Sequence, residues 1–459
     1  MISVAAFKSW LNLATLRNRL RTSLWLFPVA GVILAVVLAR ILLAVDHHLS
    51  TDREAWFLYR GQADSARELL STIASSLLTF TGLVFSITIL VLQLASSQYS
   101  SRVLRTFLED RFTKFAMATF VGSFVFAMVI LPEVRSEASG QAPFVPALST
   151  FIAFLLVLLS VGVFIRYIHQ MAHSIRAVQV VGRLAKETCR SLERMYPEMA
   201  KDTVPANAPV PDAPPDRVLF NDGPAGALTE VGEDRLVKLA CDRGLVLWVV
   251  PEVGDFVPRG APLFRIWGQG EVQLDELRES VVLGEERTPR KDPAFGFRQL
   301  VDVAERALSP GINDPSTAVQ VLDQLHDLLR TLATREFPSP CRLDDRGVLR
   351  LVVFRPSWDD YVSLAMDEIR GYGENSLQIA RRLGTILKDL LSVAPPYRQP
   401  ILLRQQQLLR LSIQRGFPSE PERRLADSAR EARTDRLEPE PANPSGIRGD
   451  DSSTRPIHH

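Results

Sequence analysis

Four long apolar stretches dominate the first third of the chain. They run over residues 24–45, 73–94, 112–131 and 147–168. Each matches the roughly 20 helical residues that cross a bilayer. The core of a water-soluble domain does not require four such segments in succession. The sequence therefore predicts a domain of four transmembrane helices over residues 24–168, in contact with the lipid bilayer.

The second apolar stretch differs from the others because polar and small residues recur along it. At about 100° per residue they occupy one arc of roughly 60° on a helix. Such a stripe gains nothing from contact with lipid, so it predicts contact with other helices or with water. The stripe consists of Ser75, Thr79, Gly82, Ser86, Gln93, Ser97 and Ser100.

Two interpretations of this stripe remain open. In the first, the protein is an oligomeric channel or transport protein, and the second span lines a passive polar pathway. Ile89 and Leu90 are then the gate candidates, because they interrupt the stripe between Ser86 and Gln93. In the second, the protein is a membrane-anchored structural assembly or sensor, and the stripe only packs helices together. No charged residue interrupts the stripe, which suits a passive pore better than a pump.

The distribution of lysine and arginine predicts the orientation of the spans. Basic residues precede the first span and recur between the second and third spans. In contrast, Arg135 is the only lysine or arginine in residues 132–146. Positive charge collects on the cytoplasmic side of membrane proteins. We therefore expect both termini, including residues 1–23, to be cytoplasmic. The basic residues are Lys8, Arg17, Arg19 and Arg21 in the first group and Arg102, Arg105, Arg111 and Lys114 in the second.

Charge and motif content exclude several classes of function. The chain has 459 residues with 53 Lys+Arg against 52 Asp+Glu, a net charge of +1, which argues against a nucleic-acid partner. Its cysteines, Cys189, Cys241 and Cys341, are too far apart for a CxxC motif, so neither a disulfide framework nor a zinc site is suggested. Because the common catalytic and nucleotide-binding motifs are missing from the sequence, we predict no enzyme, no metal and no cofactor.

The rest of the chain divides into five segments. A roughly heptad apolar spacing predicts an extension helix over residues 169–196, whose seam could join subunits. The spaced positions are Ile168, Ala172, Ile175, Gly182, Ala185, Cys189, Leu192 and Tyr196. Composition then indicates a Pro-rich linker, a small mixed α/β module, a helical domain and a disordered tail. These segments are assigned to residues 197–216, 217–284, 285–416 and 417–459.

Periodicity and turn residues predict the elements within these segments. A buried strand is expected over residues 244–250, and residues 253–266 are similar to a strand-turn-strand piece of biotinyl/lipoyl-type barrels without the lysine that would carry such a group. In the helical domain, Asp314 before Pro315 predicts a helix N-cap followed by proline at the first helical position. The expected helices span 297–308, 315–333, 358–370, 375–392 and 397–415, with a strand over 348–354.

Three blocks of the sequence resemble a known family signature. They are Leu283–Thr288, Asp292–Gly296 and Ala304–Ala318. Together they resemble the bacterial predicted membrane proteins catalogued as domain of unknown function 2254, and the resemblance extends to about residue 415. It implies a protein of the bacterial cytoplasmic (inner) membrane with a cytoplasmic domain. It implies no established activity.

The signature loop has its own alternatives. A structural corner or subunit contact is the first expectation, because Asp314 can cap a helix. Alternatively, carboxylates could gather around a metal, or arginines could hold an anionic ligand at the helix start. The loop residues are Arg306, Ser309, Pro310, Asn313, Asp314 and Pro315, the carboxylates Asp292, Asp302, Glu305 and Asp314, and the arginines Arg287, Arg298 and Arg306.

The predicted fold is a mainly α membrane protein. Four transmembrane helices are followed by a small mixed β module and a helical cytoplasmic domain. Because one four-helix subunit offers no obvious partner for both the polar stripe and the seam, we also predict a homo-oligomer.

Overall fold

The computed structural model describes residues 25–49, 62–98, 110–135, 144–174, 177–198, 213–284, 287, 289 and 292–427. Several predictions fall outside these residues. They concern the N-terminal segment, Ser100, the side chain of Ser97, most of the Pro-rich linker and the tail beyond Asp427.

Four helices in the described part of the chain are long and apolar enough to cross a membrane. They cover the four predicted apolar stretches apart from one or two residues at an end, and they extend beyond them because polar residues at the helix ends continue the helical turns. The helices are α1 (Leu26–Leu49), α2 (Ala63–Gln98), α3 (Arg111–Ile130) and α4 (Ala147–Ser174).

Glycines allow α1 and α3 to cross closely. A Cβ atom on Gly31 would lie 2.7 Å from the carbonyl oxygen of Ala118, and one on Gly122 would lie 3.2 Å from the carbonyl oxygen of Gly31. Backbone contact of this kind is how small residues hold membrane helices together. The close crossing inside the bundle is therefore made by α1 and α3, and Gly82 of α2 takes no part in it.

Asp46 at the end of α1 fixes the start of α4. Its carboxylate accepts hydrogen bonds from the backbone N–H groups of Leu148 and Ser149, at 2.9 and 3.0 Å, and from the Ser149 hydroxyl at 2.6 Å. A helix N-terminus leaves such N–H groups without partners in the helix itself. Asp46, which is buried, therefore caps a neighbouring helix across the bundle.

The extension helix is α5 (Ala177–Met195). Its apolar face is buried by α8 (Pro293–Leu308) and α9 (Pro315–Ala333) of the same chain. The hypothesis that this seam joins subunits is therefore wrong for the buried face. Periodicity predicted that the face is covered, but it carries no information on which chain covers it. The buried residues include Val180, Val181, Leu184, Ala185, Thr188, Leu192 and Tyr196.

Two sheets follow the linker. The five-stranded sheet has the order β1-β5-β3-β8-β7, and the three-stranded sheet has the order β4-β2-β6. The strands are β1 (Arg217–Phe220), β2 (Gly226–Val231), β3 (Val246–Val249), β4 (Phe256–Val257), β5 (Pro262–Trp267), β6 (Val281–Gly284), β7 (Cys341–Leu343) and β8 (Leu349–Val353). The short helices α6 (Glu233–Arg243) and α7 (Leu274–Arg278) lie between them in sequence.

The larger sheet joins two segments that the sequence separates. β3 and β8 pair in parallel, with Leu247 opposite Leu351 and Val249 opposite Val353. Because β8 belongs to the segment 285–416, the sheet of the predicted module 217–284 is completed by a later part of the chain. The expected boundary at residue 284 therefore does not separate two independent cores. Alternating apolar residues predict strands, but they do not predict which strands pair.

Helices complete the C-terminal part of the fold. They are α10 (Trp358–Tyr372), α11 (Leu377–Val393), α12 (Gln399–Gly416) and α13 (Glu420–Asp427). The structure differs here from the prediction of a disordered tail after residue 416, because Phe417 is buried in the helical core and Ala426 of α13 is also buried. Phe417 and Ala426 therefore both anchor this segment to the helical core.

Candidate functional site

The polar stripe of α2 lies on the outside of the four-helix bundle. Its described members Ser75, Thr79, Gly82, Ser86 and Gln93 are all exposed. A Cβ atom on Gly82 would meet nothing within 4 Å. The opposite face of α2 is buried in the bundle, through Ala66, Leu70, Ile73, Leu77, Val84, Thr88, Val91 and Ala95. Within the described part of the chain, the other helices therefore leave the stripe uncovered.

The two gate candidates share this outer face. The side chains of Ile89 and Leu90 are 61% and 54% exposed, whereas Val84 and Val91 on the opposite face are 1% and 5% exposed. The apolar break thus interrupts the stripe in space as well as in sequence. Helical spacing alone predicted this division of the two faces correctly.

Two hydroxyl groups of the stripe are bonded within the helix. Ser75 donates to the carbonyl oxygen of Thr72 and Thr79 donates to that of Ser75, both at 3.0 Å. Hydroxyls bonded in this way tolerate an apolar neighbour, because their hydrogen already has an acceptor. Ser75 and Thr79 can therefore face either another helix or water without leaving a hydroxyl donor unpaired.

The inner face of α2 carries a polar contact that was not predicted from sequence. The hydroxyls of Thr88 and Tyr167 lie 2.7 Å apart, and the Tyr167 hydroxyl donates to the carbonyl oxygen of Val84 at 3.1 Å. Both side chains are buried. This pair joins α2 to α4 on the packed face of α2. A Thr within an otherwise apolar helix face was the available signal.

A small cavity lies beside Thr88 in the bundle. It holds about 20 Å³ and is lined by Thr88, Asp110, Thr113, Gln170 and Arg183, among others. This volume accommodates one water molecule. The carboxylate of Asp110 accepts from the backbone N–H of Thr113 at 3.1 Å and from the amide of Gln170 at 3.0 Å. It therefore caps α3 and ties it to α4.

The signature loop forms the corner between α8 and α9. Asp314 is the N-cap of α9 and accepts from the backbone N–H of Thr317 at 3.1 Å, with Pro315 in the first turn. The Ser309 hydroxyl donates to the carbonyl oxygen of Arg306 at the end of α8, at 2.7 Å. Asn313 has a left-handed backbone with φ of 47°, a conformation that asparagine tolerates better than most residues. The predicted capping role of Asp314 is confirmed.

A second part of the signature begins α8. Asp292 caps this helix, accepting from the backbone N–H of Phe295 at 3.0 Å, and it pairs with the Arg287 guanidinium at 2.7 Å. Burial raises the pKa of Asp292, and the adjacent Arg287 opposes that rise. The Arg287 guanidinium also lies over the Phe295 ring, 5.0 Å from its centroid. These contacts fix the first turn of α8.

The carboxylates and arginines of the signature do not converge on one ligand. Asp292 and Asp314 cap different helices, while Arg298 pairs with Glu368 of α10. Glu305 also lies beside Glu368, and burial together with that neighbouring carboxyl raises the pKa of Glu305 to about 7. In the described part of the chain, no three or more His, Cys, Asp or Glu side chains are grouped as a metal site requires.

The signature loop borders an open cleft of about 510 Å³. The cleft lies between the start of α9, the start of α11 and the beginning of the segment that follows α12. Neutral side chains provide most of its polar lining, and Glu422 is the charged residue that lines it among those the structure describes. The arginines that were considered for an anion site do not line it. Its lining includes Asn313, Pro315, Asn375, Ser376, Gln378 and Phe417.

Comparison with known proteins agrees with the membrane character of α1 to α4. The chain is 30% identical over 428 residues to the uncharacterised protein Rv1290c of Mycobacterium tuberculosis and equally to Mb1321c of Mycobacterium bovis, over 91% of this chain and 81% of each relative. No solved structure matches the chain at a significant level. The model of a family described as "Predicted membrane protein (DUF2254)" matches residues 21–389. The chain belongs to this family of predicted membrane proteins.

Proposed function

We propose that this membrane protein is a homo-oligomer whose copies meet along the stripe face of α2 and enclose a passive polar pathway. One observation carries the proposal: Ser86 and Gln93 are exposed on a helix whose opposite face is already packed. A primary amide gains little from lipid tails, and intramembrane polar groups generally face other helices or water. A second copy of the chain supplies both kinds of neighbour.

The neutral character of the stripe favours passive transport. Between Ser75 and Gln93 the sequence contains no acidic or basic residue, whereas proton relays and ion-coupled pumps use ionisable groups within the membrane. Ile89 and Leu90 would close the pathway as an apolar constriction that excludes water. In this proposal the protein catalyses no reaction and requires no cofactor.

A membrane-anchored assembly without a pore is the second candidate. It is favoured by the hydroxyls of Ser75 and Thr79, which are bonded to their own helix, and by the open space around Gly82. A small residue in open space permits close approach of a helix from another copy. Both candidates require an oligomer, and they differ in whether water enters between the copies.

We also propose a location in the bacterial inner membrane with both termini in the cytoplasm. The support is the excess of lysine and arginine before the first span and between the second and third. A membrane-impermeant thiol reagent should then label a cysteine at Ser139 in intact cells but not one at Ser419. Labelling of the Ser419→Cys protein from outside would reverse this topology.

Cross-linking tests the proposed interface between copies. In a chain whose three native cysteines are replaced by serine, Ser86→Cys should form a disulfide-linked dimer in membranes, because the same positions meet across the interface. Val91→Cys, buried on the opposite face, is the matched control and should remain monomeric. A monomeric mass of the unmodified protein in nanodiscs, together with failure of Ser86→Cys to cross-link, would contradict both candidates.

A further inference from the structure

One face of α5 carries a row of basic residues, which we call the basic stripe. It consists of Arg183, Lys186, Arg190 and Arg194. At about 100° per residue these positions fall within an arc of about 80° on the helix. All four residues are exposed, whereas the opposite face of α5 is buried against α8 and α9. The stripe is therefore the surface that α5 leaves for a contact outside its own domain.

The positive charge of the basic stripe is only partly balanced within the chain. In the part of the chain that the structure describes, Arg183, Lys186 and Arg190 form no ion pair with a carboxylate. Glu187 and Glu193 are the acidic residues of α5, against four basic ones. The exposed face of this helix therefore presents net positive charge to its surroundings.

The first turns of α5 lie against one end of the membrane helices. On a single continuous helix, Gln170 of α4 and Arg183 of α5 would be about 20 Å apart. Instead, both residues line the small cavity beside Thr88. Ala95 near the end of α2 also belongs to the same buried cluster as Val180 of α5. The chain therefore turns after α4, and α5 begins at the level where the apolar parts of α2 and α4 end.

The basic stripe faces this end of the bundle. Arg183 borders the cavity between the membrane helices, and Arg190 and Arg194 lie within about 20° of it around the helix axis. Side chains on one face of a helix project to the same side. Arg111 at the start of α3 and Arg166 near the end of α4 are also exposed at this end of the bundle. The stripe therefore continues a basic surface at the level where lipid headgroups meet the apolar spans.

We propose that the basic stripe of α5 binds the headgroups of anionic phospholipids. Clusters of about four or more lysines and arginines next to a membrane helix attract anionic lipid, and arginine matches the geometry of a phosphate group. Because the apolar face of α5 is already packed, the contact is made with headgroups and not with acyl chains. The inference requires only that α1 to α4 lie in a bilayer, and it does not depend on the pathway proposed along α2.

Native mass spectrometry of the full-length protein in mild detergent tests this proposal. The protein is mixed with equal amounts of phosphatidylglycerol and phosphatidylcholine, and the lipids that stay bound are identified. We expect phosphatidylglycerol to be retained in preference, and its bound fraction to fall about tenfold in the double variant Lys186→Gln with Arg190→Gln. The matched control is Arg404→Gln with Arg410→Gln, which removes the same charge from two exposed positions of α12 and should leave the bound fraction unchanged.

A charge-conserving variant separates the effect of charge from that of folding. Lys186→Arg with Arg190→Lys should retain phosphatidylglycerol as the unmodified protein does. Equal retention of the two lipids by the unmodified protein, or an equal loss in the Arg404 and Arg410 control, would overturn the proposal. Displacement of phosphatidylglycerol by inorganic phosphate at the same concentration would also overturn it, because the stripe would then bind free phosphate. A protein without a conducting pathway can still pass this test, so its outcome is separate from that of the proposed function.

Discussion

Gly296 of α8 lies directly against Thr188 of α5. A Cβ atom at position 296 would come within 2.1 Å of the Thr188 hydroxyl oxygen and 2.8 Å of its methyl carbon. Both residues are buried. This contact brings the family signature onto the helix that follows the fourth apolar helix, and it explains why the signature contains a glycine inside a helix, where glycine is otherwise unfavourable.

Gly296→Ala should therefore destabilise the protein. The added methyl group overpacks the α5–α8 contact, and we expect a loss of about 1–3 kcal/mol in the free energy of unfolding. Thr188→Ala should recover part of that loss, because it removes the two nearest atoms. Gly182→Ala is the matched control on α5, where the new Cβ meets no atom within 4 Å. It should be neutral or stabilising, by up to about 1 kcal/mol. Denaturant unfolding in detergent measures the free energy of unfolding of the unmodified protein, Gly296→Ala, Gly182→Ala and the double variant that combines Gly296→Ala with Thr188→Ala.

The capping role of Asp314 predicts how its variants behave. Asp314→Asn keeps an acceptor for the Thr317 backbone N–H and should be mild, whereas Asp314→Ala should cost about 0.5–2 kcal/mol. In both variants the proposed conductance should fall only as far as stability falls. A folded and stable Asp314→Asn protein without any conductance would indicate instead that the negative charge binds a ligand in the adjoining cleft.

Arg398 stabilises the end of α9 from a distant part of the chain. Its buried guanidinium donates to the carbonyl oxygens of Leu332, Ala333 and Arg335 at 2.7–2.9 Å. Arg398→Met should leave these acceptors without donors and cost about 2–4 kcal/mol, since hydrogen bonds to charged groups are among the stronger ones. Arg404→Met on the exposed side of α12 should change stability by no more than about 0.5 kcal/mol. Equal stabilities of the two variants would refute this role.

Glu305 predicts a pH dependence of stability. Burial and the carboxyl of Glu368 raise its pKa to about 7, so the folded protein holds this proton more tightly than the unfolded chain does. Its contribution to stability is therefore present at low pH and is lost as the pH rises through about 7. Glu305→Gln should flatten the decline in melting temperature between about pH 5 and pH 8. Asp345→Asn, at an exposed turn, should leave that decline unchanged.

The sequence predicted the local structure of the signature well. Asp314 and Pro315 begin a helix as predicted, and α10 begins at the predicted residue 358. Capping and proline placement depend on neighbouring residues, so short segments contain the necessary information. For the same reason, the helix over 315–333 was located at its observed bounds.

Long-range relationships were harder to predict. The parallel pairing of β3 with β8 and the burial of Arg398 both join residues that are far apart in sequence. The apolar face of α5 was recognised, but its partners α8 and α9 were not, because periodicity indicates burial without naming the covering surface. The outward direction of the α2 stripe followed from helical geometry once the packed face was known.

The most direct test of the central claim is conductance in planar bilayers with KCl on both sides. Ile89→Ser and Leu90→Ser should wet the apolar constriction and raise basal conductance above that of the unmodified protein. Val91→Ser on the packed face of α2 and Leu158→Ser on α4, where the side chain is 53% exposed, should not raise it. If Ile89→Ser and Leu90→Ser remain folded and oligomeric but show no conductance, α2 lines no pathway and the protein is an anchored assembly.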